Sequence, residues 1–395
     1  MSPATEAPRA YDKADRLKQL PPYLFVEIDR AKRKLQAEGK DLIDLGVGDP
    51  DLPSPAHVLA ALKKAAEDPA NHRYSFTEGI PELRQAIAGW YQRRFGVTLD
   101  PHTEILPLLG SKEGIANFPL AVCNPGDAVL VPDPCYPPYR SGTIFAGAEV
   151  VPMPLLEENG FFPDLGAISQ KAARRAKIMF LNYPNNPTAA VAGAEQFQEA
   201  IALAKEYGIS IAHDAAYSEI AFDGCRPMSF LQFPEAKSVG VEFHSLSKTY
   251  NMTGWRIGWV CGNAQLIAAL RQLKTNIDSG IFQAIQWAGI AALEGDQQPL
   301  QDTVATYQRR RDLLVDGLAK AGWKVTTPKA TFYLWTRIPT GGSSLAFAAR
   351  VLEQSHVVIA PGVGFGPSGE GYVRLSLTIP TERIQEAVER LAKAL

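Results

Sequence analysis

Cysteine is scarce in this chain: Cys123, Cys135, Cys225 and Cys261 form no Cys-x-x-Cys pair and match no histidine spacing. A disulfide framework or zinc module is therefore not expected, and free, mostly buried thiols are. Charge of one sign is lacking too. Forty basic against 42 acidic residues give a formal net charge of -2, without the basic excess that nucleic acid binding calls for. No uninterrupted apolar run reaches the ~18 residues of a membrane helix, and the chain carries neither an internal repeat nor a low-complexity linker. The opening MSPATEAPRAYDKADR holds acids and no apolar core segment, so no signal peptide is expected, and the cytoplasm is the expected location. The composition, 46% hydrophobic and 21% charged over 395 residues, suggests one large domain and a smaller one acting on small molecules.

Residues 1 to about 20 read as a loose arm ending at Pro21-Pro22, followed by helical spacing from Tyr23 to Gly39. Next come an extended run, the turn-rich GVGDPDLPSP, and helices over 55–67 and 80–95 flanking the loop RYSFTEG. From Glu104 the pattern changes. Short apolar runs at 105–109, 128–131, 149–151, 178–181, 209–213, 238–243 and 257–261 alternate with amphipathic stretches, the signature of an α/β fold with a largely parallel sheet covered on both faces. A long helix over 301–322 and shorter elements after it predict a smaller α+β domain. Ligands in such sheets bind beyond the carboxyl ends of the strands, and polar residues follow these runs directly: Gly110-Ser111-Lys112, Asn185-Asn186-Pro187, Asp214 with Tyr217, and Ser245 to Lys248.

The stretch SLSKTYNMTGWRIGW, 245–259, organises the rest. It sets Ser245, Ser247, Lys248 and Arg256 between apolar and aromatic flanks. A desolvated lysine becomes a nucleophile toward carbonyls, and hydroxyls beside an arginine fork can hold a phosphate. Together they point to a phosphorylated aldehyde, pyridoxal 5'-phosphate. Asp214, after ISIAHD, is either a helix cap or the partner of a protonated pyridine nitrogen. Tyr217 is either a packed tyrosine or a donor to the cofactor's phenolate oxygen. Asn186 marks a turn and has an amide able to reach that oxygen and a substrate carboxylate. GSKEG, opening a helix after a strand, is an anion site or a plain capping pattern. Tyr136 in DPCYPPY is placed to stack on the pyridine ring or merely to pack. Arg374 inside GYVRLSL must be paired, by a substrate α-carboxylate or by an internal glutamate.

Taken in order, SKEG, Tyr136, NNPT, Asp-x-x-Tyr and Ser-x-Ser-Lys with its following arginine resemble the fold type I pyridoxal-phosphate enzymes, specifically the aminotransferase class I and II family, over nearly the whole chain. The resemblance implies an arm and part of the small domain at 1–50, a large cofactor-binding domain at 51–295 with a seven-stranded sheet, and a small domain at 296–395. It makes Lys248 the Schiff-base lysine, Asp214 the pyridinium partner, and Tyr217 and Asn186 the phenolate partners. Ser111, Lys112, Ser245, Ser247 and Arg256 become the phosphate cup, and Arg374 the α-carboxylate arginine. It further implies a homodimer in which Tyr74 reaches the neighbouring subunit's phosphate.

Within the family, PYLFVEIDRAKRK, GVGDPDLP, SKEG and TNIDSGIFQAIQ look most like the LL-diaminopimelate aminotransferases, which pair that amino acid with 2-oxoglutarate in lysine synthesis. Tyr23 and Gly48 match substrate-contacting positions of that group. Asp278 is expected to repel a distal carboxylate and welcome a distal ammonium, and Lys112 to meet the far carboxylate. Glu78 and Asp278 are otherwise surface groups. The alternatives are a broad aspartate, alanine or aromatic aminotransferase, and a pyridoxal-phosphate β-lyase.

Overall fold

All seven apolar runs become strands of one sheet. The computed structural model describes residues 12–20, 25–75 and 78–394. Twelve strands are described: β1 (Ile43–Asp44), β2 (Ile105–Leu108), β3 (Ala128–Asp133), β4 (Glu149–Pro154), β5 (Ala176–Asn182), β6 (Ser210–Asp214), β7 (Gly240–Ser245), β8 (Gly258–Gly262), β9 (Tyr333–Arg337), β10 (Val357–Val358), β11 (Ala360–Pro361) and β12 (Tyr372–Ser376). The large sheet has the order β2-β8-β7-β6-β5-β3-β4. Only β8 runs against the rest, antiparallel to both β7 and β2. The reason is local. Between Ser245 and Gly258 there is one short helix, Leu246–Thr249, and a 3-10 turn, with no crossover helix to return the chain in parallel. That connection is the SLSK stretch.

The central strands are buried on both faces, which their continuous apolar runs require. Alternate residues feed two cores. Leu130, Met179, Leu181, Ile211 and Trp259 pack on one side; Val131, Ile178, Phe180, Phe243 and Val260 pack on the other. One acid interrupts this pattern. Glu242 of β7 is fully buried and accepts hydrogen bonds from the Tyr91 hydroxyl (2.9 Å), the Ser229 hydroxyl (2.8 Å) and the Phe230 amide (2.9 Å), with His213 Nδ1 of β6 at 2.8 Å. Burial alone would push this carboxyl up; the bonds from His213, Ser229 and Tyr91 outweigh it and hold it below its usual range.

A second apolar cluster joins Ile43 and Leu45 to the C-terminal elements. There β9, β12 and β11 form an antiparallel sheet, and β1 pairs in parallel with β10, Ile43 opposite Val357. The long helix, expected over 301–322, is Gln298–Lys320. Its buried Arg310 grips Asp51 with both terminal nitrogens, at 2.7 and 2.9 Å, so the turn after β1 is clamped beside the helix. Among the described residues, no helix is long and apolar enough to cross a membrane.

Glu242→Ala should strand two hydroxyls, a backbone amide and an imidazole inside the core, each costing about 1–3 kcal/mol. A melting temperature lowered by about 5 °C or more is expected in thermal unfolding. An unchanged value would show that water replaces the carboxylate without loss.

Candidate active site

Twelve of the fourteen residues singled out from sequence line one cavity of about 690 Å³ between the carboxyl ends of the large sheet and the strands of the smaller one. They are Gly48, Ser111, Lys112, Tyr136, Asn186, Asp214, Tyr217, Ser245, Ser247, Lys248, Arg256 and Arg374. Tyr74 is outside that cavity, on the surface and 76% exposed. Tyr23 lies outside the described residues.

Asp214 ends β6 and is only 4% exposed. Its Oδ2 accepts from the Tyr139 hydroxyl at 2.8 Å, and its Oδ1 from the Ala216 amide at 3.2 Å. No arginine, lysine or histidine pairs with it among the described residues. Burial raises its pKa, against the Tyr139 and Ala216 bonds, which lower it. An ionised carboxylate in such a place calls for a cation from a ligand. Tyr139 is itself fixed by stacking on Phe180, ring centroids 4.9 Å apart.

Lys248 lies in the short helix after β7. Its Nζ donates to the Gly48 carbonyl at 3.1 Å and stands 5.6 Å from the centre of the Phe332 ring. Burial lowers its pKa, outweighing the opposing influence of Tyr333 and Asp49, so the neutral, nucleophilic amine is within reach. The start of its turn is held by His244. The His244 Nδ1 accepts the Ser245 amide at 2.9 Å, which leaves Nε2 to donate to the Ser218 hydroxyl at 2.8 Å. Burial pushes His244 down to about 4, and its ring stacks on Trp259 at 4.8 Å. It is therefore a neutral structural hinge-pin.

The phosphate end of the cavity is equally plain. The helix Ser111–Val122 begins there with Gly110 at its N-cap and no capping side chain, so the capping alternative weighed for GSKEG does not take the form of a serine cap. Glu113 instead turns back to accept the Leu109 amide at 3.1 Å. Gly110 has φ +78°, and a Cβ on it would run into the Arg256 guanidinium. Arg256 donates to the Thr253 and Leu109 carbonyls, at 2.8 and 3.4 Å, and to no carboxylate. Unsatisfied helix amides, Ser245, Ser247, Lys112 and an arginine held only by carbonyls form a cradle for a doubly charged anion.

Arg374 of β12 is 6% exposed. It donates Nη1 to Asn186 Oδ1 and Nη2 to the Gly46 carbonyl, both at 2.8 Å, while Nε has no partner. Its guanidinium lies between the Tyr333 ring at 4.1 Å and the Phe365 ring at 4.6 Å. Among the described residues no acid pairs with it, so the internal salt bridge weighed from sequence is not seen there. Tyr333 also meets Tyr217, hydroxyl to hydroxyl at 3.2 Å, and fills the space a side chain on Gly48 would need. Asn186 is aimed by Asn182, whose Oδ1 accepts its amide at 2.8 Å while Nδ2 donates to the Asp214 carbonyl at 2.8 Å.

Sequence reasoning missed Tyr139, Asn182, Tyr333 and Phe365. Tyr139 sits three residues beyond the tyrosine that drew attention, and Asn182 ends an apolar run just as Asp214 does; both could have been found by those placements. One expectation is overturned. Asp278 is not in the cavity, because the fully buried Lys274 holds it at 2.7 and 2.8 Å across one helical turn and also meets Glu113 at 3.2 Å. Within this chain it faces Lys274 and not the cavity. Glu78 likewise faces Arg271 at 3.3 Å and Arg84 at 3.6 Å, outside the cavity.

A buried lysine of low basicity, an unpaired buried acid, an anion cradle and an unpaired buried arginine in one cavity define a pyridoxal-phosphate enzyme that handles amino acids. The profile of the family aminotransferase class I and II matches residues 40–391, and the chain belongs to that family. It is a pyridoxal-phosphate-dependent aminotransferase. It is 57% identical to the LL-diaminopimelate aminotransferase of Syntrophobacter fumaroxidans, over 97% of this chain and 99% of that one. In fold it is similar to the substrate-bound BacF structure from Bacillus subtilis, with TM-score 0.93, 41% identity, and 97% and 98% of the two chains covered. A Thermus thermophilus aspartate aminotransferase double mutant aligns with TM-score 0.90, 31% identity, and 98% and 100% coverage.

Because burial depresses Lys248, its amine in the cofactor-free protein should react with an acylating reagent at a lower pH than surface lysines do. Peptide mapping of the labelled lysines across pH measures this. An onset for Lys248 shared with the exposed lysines would contradict the burial argument.

Proposed function

We propose that this aminotransferase takes LL-diaminopimelate as amino donor and 2-oxoglutarate as acceptor, the exchange that serves lysine synthesis. The observation that carries the amino-acid part is Arg374, a buried guanidinium with an unpartnered Nε and no carboxylate. A substrate α-carboxylate supplies the missing anion. The choice of amino acid rests on the full-length likeness to enzymes of that name, at 52–57% identity. The substrate-level alternative, an aspartate-preferring enzyme, has the lower likeness of 31% behind it.

The cofactor supplies an aldehyde that a lysine can hold and a ring that withdraws electrons from the substrate Cα. The other roles belong to the chain. We assign Asp214, braced by Tyr139, to the pyridine nitrogen. Tyr217 and Asn186 serve the phenolate oxygen. Ser111, Lys112, Ser245, Ser247 and Arg256 would hold the phosphate, and Tyr136 would stack on the ring. The Lys248 amine would take the proton from the substrate Cα as general base and return it, as acid, two atoms away. Gly48 and Tyr23 are assigned to the substrate side.

We further propose a cytoplasmic homodimer in which Tyr74 completes the partner's phosphate site. The support is its exposure beside a second exposed ring, Phe282, on segments tied together by Gln283 Nε2 donating to the Arg73 carbonyl at 3.2 Å. We also propose a division of the chain at 1–50, 51–295 and 296–395; two apolar clusters lie within the middle segment, and the third joins the C-terminal elements to Ile43 and Leu45 while also taking in Ala216, Tyr217, Ile220 and Phe222.

Initial rates with both substrates varied should give the parallel double-reciprocal lines of a ping-pong exchange. Release of ammonia and pyruvate from an amino acid with a leaving group on Cβ, with no oxo acid consumed, would make the enzyme a β-lyase instead. Arg374→Ala should lower kcat/KM for amino acids about 100-fold or more, since it removes a buried charged partner; an unchanged value for every donor would exclude the assignment.

A further inference from the structure

Among the described residues lining the cavity, the bases are Lys112, Lys248, Arg256 and Arg374, and the acids are Asp29 and Asp214 alone. Asp214 is braced by Tyr139 deep in the site. Asp29 is different. It projects from the helix Phe25–Ala37, is partly buried, and makes no hydrogen bond or ion pair with any described residue. Its helix neighbour Lys32 is taken by Asp44. An acid left without a partner in a cavity with four cations is matched by a cation that arrives with the substrate.

LL-diaminopimelate has an ammonium and a carboxylate at each end. The reacting end is accounted for by Arg374 and Lys248. The far ammonium, when it enters the cavity, needs an acid; in this chain Asp278 and Glu78 each face a lysine or arginine and do not line that cavity. Glutamate and 2-oxoglutarate, the other pair in the exchange, carry a distal carboxylate but no distal ammonium. A single acid at that point therefore separates the donor from its shuttle partner without weakening the latter's grip.

We propose that Asp29 is the specificity-determining residue that receives the distal ammonium of the amino donor. This rests on the reading of LL-diaminopimelate as substrate. Asp29 touches no reacting atom, so its contribution falls on substrate recognition.

The test uses the holoenzyme and its Asp29→Asn and Asp29→Glu variants. Half-reactions are followed with LL-diaminopimelate, with the same molecule acetylated on its distal nitrogen, and with glutamate. Asp29→Asn should lower kcat/KM for LL-diaminopimelate about 30-fold, mainly through KM, the loss expected when one member of a charge pair is truncated. Glutamate should stay within about 3-fold. The wild-type preference for the free over the acetylated donor should vanish in Asp29→Asn and return in part in Asp29→Glu. An equal loss for diaminopimelate and glutamate would make Asp29 merely structural and overturn the proposal. So would an unchanged rate with diaminopimelate. A wild-type enzyme that does not convert diaminopimelate at all would overturn the substrate reading, and the proposal with it; conversion by the wild type with no effect of Asp29→Asn would overturn the proposal alone.

Discussion

The structure turns on charges that the chain buries and does not neutralise. Asp214 and Arg374 lie in the same cavity, 4% and 6% exposed, each hydrogen-bonded only to neutral groups. Folding with such groups costs free energy, and the cost is offset only when ligands bring the opposite charges. A pyridinium for the acid, a carboxylate for the base and a phosphate for the Arg256 cradle are the three complements. One bound cofactor and one amino acid carry all three.

The fold delivers these groups by two routes. Those on the large sheet sit at strand ends: Asn182 closes β5, Asp214 closes β6, Ser245 closes β7 and Lys248 follows it. The His213–Glu242 pair and the neutral His244 hold β6 and β7 in register beneath them. Those on the smaller sheet, Tyr333 and Arg374, come from the antiparallel neighbours β9 and β12, with Arg374 opposite Trp335. The hydrogen bond from Arg374 to Asn186 joins the two routes. Substrate binding at that bond thus touches both sheets at once.

Much of this could be read from the sequence because it is local. Each large-sheet strand is a short apolar run, and a polar residue directly after such a run lies at the ligand end of the sheet; Lys248, Asp214 and Asn186 follow from that rule. What escaped was non-local. Tyr139 matters because it meets Asp214, 75 residues away, and Tyr333 because it meets Tyr217, 116 away, and lies over Arg374. Nothing in the pattern of either segment announces the other. The pairing of Asp278 was legible too, since Lys274 lies four residues earlier, in the last turn of the preceding helix. The antiparallel turn of β8 has a local cause in the short SLSK connection, yet its pairing with both β7 and β2 becomes visible only in the assembled sheet.

The measurement that bears most directly on this account is calorimetric binding of pyridoxal phosphate and of its analogue with carbon in place of the ring nitrogen, to the wild-type protein and to Asp214→Asn. If the buried carboxylate is waiting for a ring cation, the wild type should bind the natural cofactor at least about 30-fold more tightly than the analogue, as expected for a buried charge pair. The variant should hardly distinguish them. Equal discrimination by the two proteins would mean that the ring nitrogen never meets Asp214, and the central claim would fall.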